Sequence, residues 1–250
     1  RALALDPNNM VIHYRLGYVY THLNQLDDAL THLNRALEIE PDFAPALANL
    51  GYVLRRKAEK LPAADVARGE QLAQAEQKLR HALALSPKLV DEDGESWWGS
   101  LGGLHRRRGQ IDDAIDAYSR ALAVTPQASY PLINLTMLYL QKGDREGVRQ
   151  TCLQAERTAA RRTLVDVTDF WAWADLMVAQ LIQRKFAEAT DSLEAMLRAV
   201  PNGAPDLVKM PLDTLRQLQP TFKGDDAAKL APFLERLEAF LQPAPLDNSA

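Results

Sequence analysis

One cysteine, Cys152, stands in 250 residues. That excludes an intramolecular disulfide framework and a cysteine-built zinc site. Neither charge is in excess: 29 Lys and Arg against 33 Asp and Glu leave a net −4, too little to argue for nucleic acid or an anionic membrane as partner. With 12 Gly and 14 Pro the chain is neither collagen-like nor of low complexity. The most apolar stretch, Phe170–Ile182, is broken by Asp175 and too short to span a bilayer. No basic segment leading into an apolar one marks a secretory signal, and the expected location is cytoplasmic. A phosphate-cradling loop, Gly-x-Ser-x-Gly and His-Glu-x-x-His are all missing. The expectation is therefore a non-enzyme with no cofactor and no metal.

What is present is repetition. RALALDP (1–7) and RALEIEP (35–41) align, and Pro7 and Pro41 lie 34 residues apart. RHALALSP then ends at Pro87 and SRALAVTP at Pro126. Between Pro7 and Pro41 lie His13, Leu16, Gly17 and Tyr20, followed by Ala29, Leu33 and Ala36. Offsets of three and four put each set on one helical face. Asn24–Asp28 make the turn, and Pro41 stops the second helix.

The pattern returns as Leu47, Leu50, Gly51, Leu54 with Ala75, Leu79, Ala82, Pro87, and as Trp98, Leu101, Gly102, His105 with Ala114, Tyr118, Ala121, Pro126. A fourth copy (Leu132, Leu135, Thr136, Tyr139, then Val148, Cys152, Ala155, Ala160) and a fifth (Trp173, Leu176, Met177, Gln180, then Ala189, Leu193, Met196, Pro201) depart from it. Met177 and Met196 are large where small residues are expected, which predicts looser or shifted packing. Small residues at the repeated Gly and Ala positions let paired helices approach closely.

These residues resemble the tetratricopeptide repeat (TPR) family. The resemblance implies an all-α fold: a right-handed superhelix, an α-solenoid of antiparallel helix pairs, with C-terminal capping helices. The expected organisation is the end of a truncated repeat (1–9), repeats at 10–43, 44–89, 95–128, 129–162 and 169–203, capping helices over 204–241 and a tail at 242–250. Pro232 either opens or kinks the last helix. The start at Arg1, inside a repeat, suggests a piece of a longer protein.

Insertions punctuate the repeats. Extra residues near Lys57–Gly69 predict a protruding hairpin with its corner at Pro62: a simple lengthening, or a contact element for a neighbouring domain. Extra residues holding Asp91, Glu92, Asp93, Gly94 and Glu95 read as a solvated acidic loop, since only Asp91 and Asp93 fit a calcium-ligand pattern. A third insertion lies near Arg161–Thr168.

The resemblance also implies that the first helix of each repeat lines an inner groove where a peptide or protein segment binds. Carried over position by position, the groove residues are Tyr14, Arg15, Tyr18, Asn49, Tyr52, Arg55, Ser100, Arg106, Asn134 and Asp175. Asn49 and Asn134 occupy the place that, in arrays similar to that of O-linked N-acetylglucosamine transferase, forms an asparagine ladder along a peptide backbone; they are either such rungs or solvent-facing residues with local hydrogen bonds. An amide suits the role because it both donates and accepts. Arg15, Ser100 and Asp175 interrupt the ladder. Tyr14 and Tyr18 replace the Lys and Asn of the family's carboxylate clamp, which disfavours a chaperone tail as ligand.

Two basic runs, Arg55-Arg56-Lys57 and His105-Arg106-Arg107-Arg108, cap successive helices or form a patch for an acidic partner. The pairs Trp97-Trp98 and Phe170-Trp171-Trp173 are expected to serve mostly as core, with Trp98 and Trp173 at the packing position; Trp97 and Trp171 either join that core or stand exposed as anchors for a partner. Cys152 is expected to be buried and inert. Segments 95–144 and 169–181, in particular Ser129–Asn134 and Asp169–Trp171, resemble TPR regions of apoptosis signal-regulating kinases and of bacterial proteins that join TPRs to effector domains. That likeness implies an alternative role: an intramolecular sensor of a bacterial signalling or defence protein whose enzymatic domain lies elsewhere. The expected partners are a protein, a peptide or a neighbouring domain, with neither nucleic acid nor membrane.

Overall fold

A computed structural model describes residues 6–242. The expected helix end at residues 1–5 and the tail beyond 242 lie outside the described residues. Among these, all the α-helices but the last two form hairpins: α1 (Met10–His22) with α2 (Leu26–Ile39), α3 (Ala44–Glu59) with α4 (Val66–Leu85), α5 (Trp97–Arg107) with α6 (Ile111–Val124), α7 (Ser129–Lys142) with α8 (Arg145–Val165), and α9 (Phe170–Ile182) with α10 (Phe186–Arg198). Two further helices, α11 (Lys209–Leu218) and α12 (Asp225–Leu241), follow. The fold class is an all-α solenoid of helix pairs. The chain divides into two compact units, one up to Pro126 and one from Gln127.

Local chemistry fixes the helix ends. Asn9 accepts from the Val11 and Ile12 N–H groups, and Asp65, Ser96, Asp144 and Asp169 cap α4, α5, α8 and α9 in the same way. Four of the five hairpin turns use a left-handed residue: Asn24 at φ 59°, Gly109 at 73°, Gly143 at 72° and Arg184 at 65°. Asn and Gly adopt this conformation at little cost, whereas Arg184 is strained there.

The repeated glycines have a steric cause. A Cβ on Gly17 would sit 2.6 Å from Leu33 Cγ, and one on Gly102 would sit 2.9 Å from the Tyr118 ring. In the fourth hairpin Thr136 stands at the glycine position, fully buried, and donates to the Leu132 carbonyl. The close approach moves to Gly147, where a Cβ would meet Tyr139 Cγ at 2.6 Å.

In the first unit, α1, α3 and α5 neighbour one another in sequence order, and each packs on its own partner helix. One core gathers Tyr14, Leu33, Leu50 and Val53; the next gathers Leu47, Leu79, Trp97 and Leu101. The insertion near Lys57 lengthens α3 to 16 residues and α4 to 20. In the second unit, residues near Arg161 extend α8 to 21 residues. Met177 and Met196 are completely buried there, so these long flexible side chains fill the space. Pro232 lies inside α12, several residues past its start, where it removes one helical hydrogen bond.

Candidate functional site

In the first unit the first helices α1, α3 and α5 carry most of the predicted groove residues. Tyr14 is buried, edge-on to Phe43 at 5.5 Å. Arg15 is exposed, and Tyr18, Tyr52, Ser100 and Arg106 are half-buried. Tyr52 meets the Trp97 ring at 6.2 Å, and the Arg55 guanidinium lies 4.7 Å above it. Arg55 itself is buried and paired with Glu59 at 2.6 Å.

Neither Asn is solvent-facing. Asn49 is 1% exposed and Asn134 5%. Asn49 Oδ1 accepts from the Thr21 hydroxyl at 3.2 Å, and its buried Nδ2 meets no acceptor. Asn134 Nδ2 donates to the Tyr130 carbonyl at 2.8 Å. Their solvent-facing reading is therefore corrected: tight packing of the first helices submerges them. Asp175, in the second unit, accepts from Ser129 Oγ at 2.5 Å, which in turn receives Arg162 Nη1 at 3.2 Å.

Residues 91–95 are exposed from Glu92 to Gly94, as the solvated-loop reading expects, and the loop also contacts α1. The Asp91 carboxylate is half-buried and accepts the Asp93 and Glu95 N–H groups at 3.0 and 2.9 Å. Asp93 Oδ2 accepts from the Tyr18 hydroxyl at 3.1 Å, across 75 residues. Burial, then the Glu92 charge beside it, pushes the Tyr14 phenol well above its usual range. Burial and then Asp93 do the same for Tyr18. Sequence reasoning missed this contact because an insertion's length does not reveal what it folds against. The acidic run facing two tyrosines was the only signal.

The basic runs do meet, and acids largely occupy them. Glu59 pairs with both Arg55 and Arg107, the latter at 2.7 Å. Glu76 pairs with Arg80 and Arg108, and Asp27 with Lys57. Charge in these runs therefore ties neighbouring hairpins together. Of the α5 tryptophans, Trp97 is 4% exposed and joins the core, its backbone N–H donating to the Leu89 carbonyl, so the core alternative holds for it and not the exposed anchor. Trp98 is half-buried, donating to the Pro87 carbonyl under the Arg120 guanidinium. Trp171 is 40% exposed, near Leu164, Val165 and Val167 in sequence. A cleft of about 360 Å³ is lined there by Thr158, Arg161, Arg162, Val165 and Asp169.

No group of three or more His, Cys, Asp or Glu among the described residues is placed to hold a metal ion. No described helix is long and apolar enough to cross a membrane. Cys152 is buried, donates to the Ala179 carbonyl at 3.3 Å, and has its thiol pushed up to about 11 by burial and then by Glu156.

Tetratricopeptide repeat family profiles match residues 11–43 and 63–131. The chain is 27% identical over 164 residues, 66% of its length, to the heat-shock protein cognate co-chaperone sgt12 of Aspergillus fumigatus, and 26% identical over 121 residues, 48% of its length, to DnaJ homolog subfamily C member 3 of Rattus norvegicus. It spans less than half of either relative, 43% and 22%. Among solved structures it is similar to Pseudomonas aeruginosa PilF, with a TM-score of 0.55 at 17% identity, covering 94% of this chain and 93% of that one. This last likeness shows the fold alone. With its glycines at the helix crossings and its repeated hairpins, the chain carries tetratricopeptide repeats, matched by the family models over residues 11–43 and 63–131.

Proposed function

We propose that this chain is a non-catalytic scaffold that binds a peptide or protein segment on the face formed by α1, α3 and α5. The observation that carries the reading is a division of labour. The repeat's signature residues, such as Gly17, Leu33, Gly51 and Leu79, are consumed by packing. Arg15, Tyr18, Tyr52, Ser100 and Arg106 on the same first helices stay partly open. Tyr and Arg are among the residues that carry most binding energy at protein interfaces. One relative is named as a heat-shock protein cognate co-chaperone, which supports protein binding as the general role. Tyr14 and Tyr18 in place of a carboxylate clamp argue for a different ligand.

The test is partner capture by the immobilised chain, followed by affinity measurement on Tyr52→Ala and Arg106→Glu variants. Loss of affinity by about tenfold or more with unchanged helical circular dichroism supports the reading. Unchanged affinity in both sinks it.

The α3–α4 hairpin favours a second reading, as an intramolecular regulator of a neighbouring domain. Its tip is exposed from Pro62 to Val66, beyond the ion pairs that Lys57 and Glu59 make with neighbouring hairpins. Shortening the hairpin would then alter the activity of the attached domain without lowering the melting temperature; no change in that activity contradicts this reading.

A further inference from the structure

We propose that the first-helix face of the first unit receives an acidic segment of its partner, and that the loop Asp91–Glu95 holds that place until the partner arrives. This rests on the scaffold reading above and names the partner's chemistry.

The loop is built rigidly. Val90 and Ser96 form an antiparallel bridge, the Asp91 N–H donates to the Glu95 carbonyl at 2.9 Å, and Gly94 turns the chain at φ 80°. With Asp91 spent on the loop's own backbone, Glu92 and Asp93 are left to reach outward. They land on α1. Tyr18 donates to Asp93, Glu92 lies beside Tyr14, and the charge of His22 acts on Asp91. Tyr14, Tyr18 and His22 recur every four residues and so form one stripe.

The route matters as much as the landing. The loop leaves the start of α5, and α3 stands between α5 and α1 in the stack. A segment running from α5 to the α1 stripe therefore crosses α3 on the face where a ligand would lie. The receiving groups are donors: two phenol hydroxyls, with exposed Arg15 adjoining Tyr14. Beside the stripe, Asn49 accepts from Thr21 and presents a further buried donor without an acceptor. Once the loop leaves, the two phenols lose their acceptors, and such donors fit carboxylates and backbone carbonyls. The loop's grip is replaceable, because Glu92 and Asp93 are exposed and exposed charged contacts are weak.

The experiment uses a labelled synthetic peptide with the loop's own sequence, Leu-Val-Asp-Glu-Asp-Gly-Glu-Ser. It is titrated against the full chain, against a Glu92→Gln/Asp93→Asn variant, and against that variant with Tyr14→Phe and Tyr18→Phe added. An occupied site lowers apparent affinity by the fraction of molecules that are open. The neutralised loop should therefore bind the peptide about tenfold more tightly than the unaltered chain, and the two Phe substitutions should erase the gain. Equal binding by the unaltered and neutralised chains overturns the inference, as does a gain that survives the Phe substitutions. Hydrogen exchange on the unaltered chain gives an independent reading: excess peptide should speed exchange at residues 90–96, and no change contradicts displacement. If these results fail while Tyr52→Ala and Arg106→Glu still weaken partner binding, the acidic-ligand inference falls and the scaffold reading stands.

Discussion

His13 and His32 face each other Nδ1 to Nδ1 at 3.0 Å, joining the first two helices through their imidazoles. His13 Nε2 lies 3.0 Å from the Pro7 carbonyl and must donate to it, so His13 Nδ1 accepts and His32 Nδ1 donates. The His32 ring also stacks on Tyr20 at 5.4 Å.

This pair gives the first hairpin a pH dependence. Burial, then the charge of His13, holds His32 below its ordinary 6.5, while Asp28 pulls weakly the other way. The unfolded chain therefore binds this proton more readily than the folded one. The stabilisation is present above the ordinary value and is lost as pH falls through it toward the depressed one. The melting temperature should fall between pH ~7.5 and pH ~5.5, and His32→Gln should flatten that slope. An equally steep slope in the variant would contradict the assignment.

Two helical glycines respond to added volume in opposite ways. Gly102→Ala forces a methyl into the Tyr118 ring and should cost about 1–3 kcal/mol. Gly69→Ala, in α4 with nothing near its Cβ, should stabilise by about 0.5–1 kcal/mol. Urea unfolding of both variants checks the pair.

Arg184 clamps the end of the second unit. It adopts a left-handed conformation, pairs with Asp226 at 2.9 Å, donates to the Thr221 carbonyl at 3.0 Å and lies 3.7 Å over the Phe222 ring. Arg184→Ala should destabilise by about 1–3 kcal/mol and raise hydrogen exchange in α12. Arg184→Lys should not restore the wild-type value, because an ammonium cannot reproduce the planar fork.

Cys152 should resist a thiol reagent at pH ~8, since a thiol titrating near 11 holds little thiolate there. Unfolding by denaturant should release full reactivity. Fast reaction of the folded chain would place the thiol at the surface instead.

The sequence made the repeat legible because packing constraints recur at fixed spacing: Gly17, Gly51 and Gly102 each face a large residue across a helix pair. It also showed the fourth repeat to be irregular, though not that Gly147 takes over from Thr136, since that exchange crosses from one helix to the other. The binding face was only partly legible. Position within the repeat placed Asn49, Asn134 and Arg55 on it, yet neighbouring helices bury all three. Position in the repeat left open whether Trp97 is core or surface, and the bridge between Val90 and Ser96 at the start of α5 accompanies its burial. The contact from Asp93 to Tyr18 joins segments too far apart for periodicity to register.

The most direct measurement is hydrogen exchange of the chain with and without its captured partner. Protection should concentrate on α1, α3 and α5, with residues 90–96 exchanging faster as the acidic loop gives way. Protection confined to α2, α4 and α6, or no change on the first helices, would contradict it.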